Sequence, residues 1–189
     1  MARDPNQQVL RLRKKHASGR HAEPEVGARL IHAQSLSNAL VGALVVIVVF
    51  AMLWSMLSVA LSRVFPWLSV LLGFLVGFVV RRGGQGLDWR FPLIAALMAF
   101  VGSILGNIVV AAAYTAGNYD IGTLNVLSKV TTMTWPVFFD EVMTAADFVY
   151  AFTAAGIAAY YANRRLSRSQ YHAVRKWQEH HVDEQGNKT

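Results

Sequence analysis

The chain has 189 residues, of which 54% are hydrophobic and 15% are charged, and its net charge is +7. A soluble domain has about half apolar residues even when glycine is counted, so this composition disfavours an ordinary soluble fold. The chain contains no cysteine, which excludes disulfides, thiolate metal sites and thiol nucleophiles.

The lysines and arginines are distributed unevenly. Sixteen of the eighteen lie in residues 1–38, 81–90 and 163–189, and the other two are Arg63 and Lys129. Lys and Arg accumulate in short cytoplasmic loops, so this alternation predicts an all-α membrane protein with four transmembrane helices and both termini in the cytoplasm. The cations flank apolar stretches, and no nucleic-acid-binding motif is present, which favours anionic lipid headgroups over nucleic acid as partners.

The first transmembrane helix is predicted at residues 39–61, which carry no charge and exceed the roughly 20 residues needed to cross the hydrocarbon core. The basic N-terminal segment, residues 1–38, is long for a secretory signal and no small-residue cleavage site follows, so we interpret it as part of an uncleaved signal anchor. Within it, Val26, Leu30 and Ala33 follow helical spacing and predict a helix that leads into the first span.

The second and third spans are predicted at residues 64–80 and 91–114, joined by the basic loop of residues 81–90. The second span is short, at about 17 residues. Arg81 and Arg82 can keep their stems in the apolar layer while their charges reach the headgroups, which extends its effective length. Because the glycines of the loop permit a sharp reversal, the two spans are expected to form an antiparallel hairpin.

The connection from residue 115 to 141 is predicted on the outer side, where the aromatic residues within 135–139 suit the membrane interface. The fourth span is predicted at residues 142–162, which is long enough only if Asp147 lies about one turn inside it. The cations that follow, beginning at Arg164, favour this crossing because it returns them to the cytoplasm.

Small residues recur at four-residue spacing in three of the predicted spans, a pattern that lets helix backbones approach closely in a membrane. Packing within one bundle and a homodimer face both produce this pattern, and the sequence leaves the two open. The residues are Gly73, Gly77, Gly102, Gly106, Ala155 and Ala159.

Two polar residues are candidates for an intramembrane site. Asn107 lies in the third span, where an unpaired amide is costly. It is expected either to hydrogen-bond to another helix, for example at Ser55 or Ser58, or to line a polar pathway. Asp147 is either a proton or cation group or a carboxylate that stabilises the N-terminus of the fourth helix.

The histidines do not predict a metal site, although all six lie in the predicted cytoplasmic segments. His16 and His21 are five residues apart and His180 and His181 are adjacent, so neither pair places two ligands on one helical face with a carboxylate. No Walker loop, nucleophile elbow or dinucleotide fingerprint is present. The sequence therefore predicts no catalytic residues, no metal and no cofactor.

The C-terminal tail, residues 164–189, is predicted to be a basic amphipathic segment on the membrane surface. Its arginines and those of the loop at residues 81–90 are candidates for binding lipid headgroups, and a protein partner is the alternative. The candidate headgroup ligands are Arg81, Arg82, Arg90, Arg164, Arg165 and Arg168.

Three motifs carry a resemblance to known proteins: Gly84-Gln85-Gly86 in the loop, Gly102 to Asn107 in the third span, and Asp147 to Ala151 at the start of the fourth. In this combination the chain resembles a group of small, uncharacterised bacterial inner-membrane proteins, over roughly residues 74–162. The resemblance implies bacterial origin and a four-helix core with variable tails. It implies no activity.

Three functions are compatible with the sequence. The first is a non-enzymatic accessory or scaffold subunit. It would bind lipid, a second copy of the chain or another membrane protein. The second is a small oligomeric transporter or channel in which Asn107 and Asp147 provide the polar path. The third is an enzyme that modifies lipid, with Arg81, Arg82 and Arg90 as a phosphate-binding patch.

Overall fold

The structure, a computed structural model, describes residues 24–119, 122–129, 134–164 and 166–186. Over these residues it is all-helical, in agreement with the predicted fold class. The predictions for His16, His21 and Arg165 lie outside the described residues. The described helices are α1 Pro24–His32, α2 Leu36–Ala60, α3 Leu68–Gly84, α4 Arg90–Tyr119, α5 Thr123–Lys129, α6 Trp135–Val142, α7 Ala145–Ala162 and α8 Arg168–Gly186.

Helix α2 begins where a polar cap meets a long apolar run. The Ser35 side chain accepts a hydrogen bond of 3.2 Å from the backbone N–H of Asn38, which satisfies a donor of the first turn. The helix therefore begins at Leu36, before the predicted start of the first span, and extends for 25 residues to Ala60. At about 1.5 Å per residue it is longer than the hydrocarbon core, which is about 30 Å thick.

Two described helices are long and apolar enough to cross a membrane: α2, and residues Arg90–Asn118 within α4. Helices α6 and α7 meet this criterion only as a pair, and they are bent by 80°. Helix α3 has 17 residues, so its length of about 25 Å falls short of the hydrocarbon core. Length and composition thus support two crossings, or three if the bent pair is one span, where the sequence predicts four.

The predicted fourth span, residues 142–162, corresponds to a helix that begins three residues later than predicted. Helix α6 ends at Val142, and Met143 is in an extended conformation with φ −103° and ψ 116°. Helix α7 then begins at Ala145. The aromatic run that was predicted to lie at the interface is therefore a separate short helix.

Helices α2 and α3 pack as an antiparallel pair. A Cβ added to Gly42 would lie 2.7 Å from a methyl group of Val79, and one added to Gly83 would lie 3.4 Å from the carbonyl oxygen of Asn38. The start of α2 therefore faces the end of α3. Both helices also contact α4.

Helices α2 and α4 run in the same direction. Gly102 faces Ile47 and Gly106 faces the indole ring of Trp54, with added Cβ atoms at 2.8 Å and 2.9 Å from these side chains. Both glycines of this predicted pair thus lie against large side chains of α2. Since α3 is antiparallel to α2, α4 is antiparallel to α3, in line with the predicted hairpin.

Helices α3 and α7 are parallel and their backbones are nearly in contact. A Cβ on Gly77 would lie 2.6 Å from the carbonyl oxygen of Ala158, and one on Gly73 would meet the backbone of Ala154 still more closely. The small residues of α7 at this contact are thus Ala154 and Ala158, both fully buried. The predicted pair, Ala155 and Ala159, is only partly buried.

Helices α1 and α8 belong to a separate compact unit. A Cβ on Gly27 would collide with the backbone of Ala173, and the rings of His32 and Trp177 pack edge to face with centroids 6.4 Å apart. Because α1 ends at His32 and α2 begins at Leu36, the helix predicted in the N-terminal segment does not continue into the first span. Its partner is the C-terminal helix.

Candidate functional site

Five polar side-chain groups are buried among the apolar helices without a hydrogen-bond partner in the described part of the chain. They lie on three helices, which are α2, α3 and α4. Their residues are 0–5% exposed, so the surrounding packing shields them on all sides. The atoms are Trp54 Nε1, Ser58 Oγ, Ser69 Oγ, Ser103 Oγ and both polar atoms of the Asn107 side chain. We call these five residues the interior polar cluster.

Other hydroxyl groups of the apolar helices do have partners. Ser55 donates to the carbonyl oxygen of Met52 at 2.9 Å, Thr115 to that of Ala111 at 3.0 Å, and Thr153 to its own helix in the same way. This bond to the preceding turn is the usual solution for a hydroxyl in a helix. The three serines of the interior polar cluster do not adopt it, and an amide cannot satisfy its donors and its acceptor by this bond alone.

The register of the helices places the interior polar cluster in the half of the packed helices that lies toward the α2–α3 connection. The ring of Trp54 lies against Gly106, between Ser103 and Asn107 on α4. Ser58 is one turn beyond Trp54. Continuing the antiparallel register of α2 and α3, Ser69 lies opposite about residue 52 of α2, within one turn of Trp54.

Asp147 is 5% exposed and lies in the first turn of α7. Its Oδ2 accepts hydrogen bonds from the backbone N–H of Thr144 at 2.8 Å and from the Thr144 hydroxyl at 2.6 Å. A carboxylate at this position is also favoured by the positive end of the helix dipole. The parallel register of α3 and α7 places Asp147 about one turn beyond the level of Ser69, toward the α2–α3 connection.

The loop after α3 packs against Phe91 and is hydrogen-bonded to the start of α2, at the opposite end of the packed helices. The phenyl ring of Phe91 occupies the space that side chains on Gly84 and Gly86 would need. Gln85 between them has φ 46°, in the left-handed region. The carbonyl of Gly84 accepts a 3.0 Å hydrogen bond from the N–H of Ser35, which ties the start of α2 to the loop.

The candidate headgroup arginines fall into two groups. Arg81, Arg82 and Arg90 are exposed around the loop, and the guanidinium of Arg82 lies 5.2 Å from the centre of the Phe78 ring. Arg164, after α7, is partly buried and its Nη1 lies 3.5 Å from the carbonyl oxygen of Gln85. These residues lie at the same end of the second compact unit, which consists of residues 34–164.

Arg168 belongs to the other unit, in which it begins α8 and is exposed. In the same helix the carboxylate of Glu179 accepts a 2.8 Å hydrogen bond from Arg175 and raises the pKa of this guanidinium, first by the hydrogen bond and then by its charge. Both side chains are exposed, so the pair contributes little to stability.

The described residues contain no group of three or more His, Cys, Asp or Glu side chains able to hold a metal ion. His32 contacts Trp177, and His172 packs against the ring of Tyr171. Neither histidine is in a group that could bind a metal.

Sequence reasoning selected Asn107 but did not group it with Ser69, Ser103 and Trp54. One signal was available, because Ser103 and Asn107, like Trp54 and Ser58, are four residues apart and therefore share a helical face. The membership of Ser69 depends on the register between helices, which the sequence does not contain.

No family model matches the chain, and no match was found among curated proteins or solved structures.

Proposed function

We propose that the chain is an integral protein of the bacterial inner membrane that crosses it four times and serves as a non-enzymatic accessory or scaffold subunit. The observation that supports a membrane environment is the orientation of α2, whose small residues Ala39 and Ala43 are fully buried. Eight of its large apolar side chains are 50–69% exposed: Val41, Leu44, Val45, Val48, Val49, Met52, Leu53 and Met56. A continuous apolar surface of this kind requires lipid or an apolar partner around it.

The alternating directions of the helices support the proposed topology. Since α2 and α4 run opposite to α3 and α7, the arginine-rich loop and Arg164 lie at one end of the helices. Arg63 and Lys129 belong to connections at the other end. The positive-inside rule then places the arginine-rich end in the cytoplasm. Helix α3 can cross if the exposed Arg81 and Arg82 extend from it into the headgroup layer.

The exposed arginines at the proposed cytoplasmic end favour the binding of anionic lipid headgroups. Arg81, Arg82 and Arg90 are exposed beside a loop whose backbone is fixed by Phe91 and Ser35. Each arginine near an anionic surface contributes about 1 kcal/mol, so several together provide useful affinity. A rigid loop presents these charges with a smaller loss of conformational entropy than a mobile one.

Lipid retention during purification tests the role of these arginines. The chain with Arg81→Gln and Arg82→Gln should bind anionic phospholipid about 30-fold more weakly, from about 1 kcal/mol per charge, as measured by native mass spectrometry in mild detergent. Arg63→Gln removes a charge at the opposite end and should leave binding unchanged. If the wild-type chain, the double arginine variant and Arg63→Gln retain equal amounts of anionic phospholipid, the proposal is contradicted.

The scaffold role is tested by purifying the tagged full chain from its native membrane in mild detergent and identifying bound proteins by mass spectrometry. We expect one partner to be recovered in a fixed ratio, or a homo-oligomer. A strictly monomeric particle without a protein partner argues against a scaffold.

The interior polar cluster favours a small oligomeric transporter as the second candidate function. Polar residues inside the membrane-spanning part of a protein mark solute or ion pathways. Under this alternative, Asn107→Leu and Asp147→Asn should each reduce solute flux into proteoliposomes. If the wild-type chain supports no flux, or both variants keep it, the transporter function fails.

A further inference from the structure

An apolar groove lies between α2 and α3 and is open to the surface of the helices. Its volume is about 240 Å³, and no polar atom is exposed in its lining. This volume is below the roughly 300–1,000 Å³ of small-molecule pockets, so the groove suits a narrow, apolar occupant. The lining residues are Val45, Val46, Val49, Phe50, Leu53 and Leu75.

The groove forms because α2 and α3 approach each other most closely at one end. There Val79 lies against Gly42, and Gly83 faces the backbone of Asn38. No glycine follows Gly42 in α2, and the two glycines in the middle of α3 face α7. Beyond Gly42, side chains of full size therefore separate the two helices and leave the groove between them.

Arg82 places a cation at the inner end of this groove. It is seven residues from Leu75 on α3, which is two helical turns, so the two side chains share a face. In the antiparallel register set by Gly42 and Val79, Arg82 lies opposite about residue 39 of α2. The lining residues 45–53 of α2 then lie about 9–21 Å from that level, toward the α2–α3 connection. Arg82 is itself exposed.

We propose that this groove binds one acyl chain of an anionic phospholipid whose phosphate contacts Arg82. The lipid belongs to the leaflet at the arginine-rich end, which is the cytoplasmic one in the proposed topology. One leaflet contributes about half of the roughly 30 Å hydrocarbon core, so a chain that starts at the level of Arg82 passes along the lining residues. A guanidinium and a phosphate form charge-assisted hydrogen bonds.

The inference rests on the headgroup binding in the proposed function and adds a fixed position for the lipid chain. A second copy of the protein is the competing occupant. Its apolar side chains would account for the lining of the groove but not for the cation at its end.

Filling the groove with an aromatic ring tests the proposal. Val49→Phe and Val45→Phe enlarge lining residues that are 51% and 56% exposed. Val48→Phe is the matched control, because Val48 lies in the same helix, is 50% exposed and does not line the groove. Binding of dipalmitoyl and dihexanoyl phosphatidylglycerol to the purified full chain is measured by native mass spectrometry in mild detergent. The hexanoyl chains are too short to follow the groove.

We expect Val49→Phe and Val45→Phe to weaken binding of the dipalmitoyl lipid by at least about five-fold, because the added ring occupies the space of the chain. Binding of the dihexanoyl lipid should not change, and Val48→Phe should leave both lipids unaffected. If Val49→Phe and Val45→Phe bind the dipalmitoyl lipid as well as Val48→Phe does, the inference is wrong. A change from dimer to monomer with unchanged lipid binding also overturns it, since the groove is then an interface between two copies.

Arg82→Gln separates the inference from the proposed function. It should weaken both lipids alike, because it removes a headgroup contact. If it does so while the two groove variants weaken neither lipid, the headgroup binding stands and the groove is not a chain site. If it weakens neither lipid while Val49→Phe weakens the long-chain one, the groove holds a chain without selecting the headgroup, which overturns the assignment to an anionic lipid.

Discussion

Replacement of Gly73 by alanine tests the close contact between α3 and α7. The added Cβ would lie within van der Waals overlap of three backbone atoms of Ala154, which cannot rotate away as a side chain can. Overpacking of this kind costs about 1–3 kcal/mol. Alanine also gains about 1 kcal/mol over glycine in a helix interior, which offsets part of the loss.

Gly156→Ala is the matched control, because Gly156 lies in α7 and an added Cβ would meet nothing within 4 Å. Both variants gain the same helix propensity, so the difference between them isolates the steric cost. Gly73→Ala should therefore be less stable than Gly156→Ala by about 1–3 kcal/mol, measured by thermal unfolding in detergent through tryptophan fluorescence. Equal unfolding temperatures would refute the parallel contact of the two backbones.

Substitutions at two further positions test the start of α7 and the end of α3. Asp147→Ala should lower stability by about 1–2 kcal/mol, since the N–H and hydroxyl of Thr144 lose their shared acceptor, whereas Asp147→Asn keeps an acceptor oxygen and should lose less. Gln85→Gly should raise stability by up to about 1 kcal/mol, because glycine adopts the φ of 46° at this position without strain, and Gln85→Val should lower it. Thermal unfolding in the same detergent measures both, and a stabilising Asp147→Ala or Gln85→Val would contradict the respective local geometry.

The long helices within residues 34–164 were largely predictable from hydropathy. Residues 39–61 and 91–114 correspond to α2 and α4, whose starts the structure moves to Leu36 and Arg90. The first shift comes from the Ser35 cap, since a capping residue and not the apolar run decides where a helix begins. The start of the fourth predicted span, at residue 142, moves to Ala145 because Met143 is in an extended conformation.

Rotation about a helix axis was less predictable. Ala154 and Ala155 are adjacent, as are Ala158 and Ala159, so α7 offers two small-residue pairs about 100° apart. Only packing against Gly73 and its neighbours selects the first pair.

The association of α1 with α8 was likewise beyond sequence reasoning. Contacts such as those of Gly27 with Ala173 and of His32 with Trp177 join residues that are more than a hundred positions apart. The amphipathic pattern of each helix indicates an apolar face but not the partner that covers it.

Cysteine accessibility of the connections tests four crossings with both termini inside most directly. Single cysteines are placed at the exposed positions Ser37, Ser62, Asp88, Ser128 and Asn163 of the cysteine-free chain. A membrane-impermeant maleimide should label positions 62 and 128 in intact cells, and positions 37, 88 and 163 only after permeabilisation. Labelling of position 88 from outside, or of 128 and 163 from the same side, would contradict the topology.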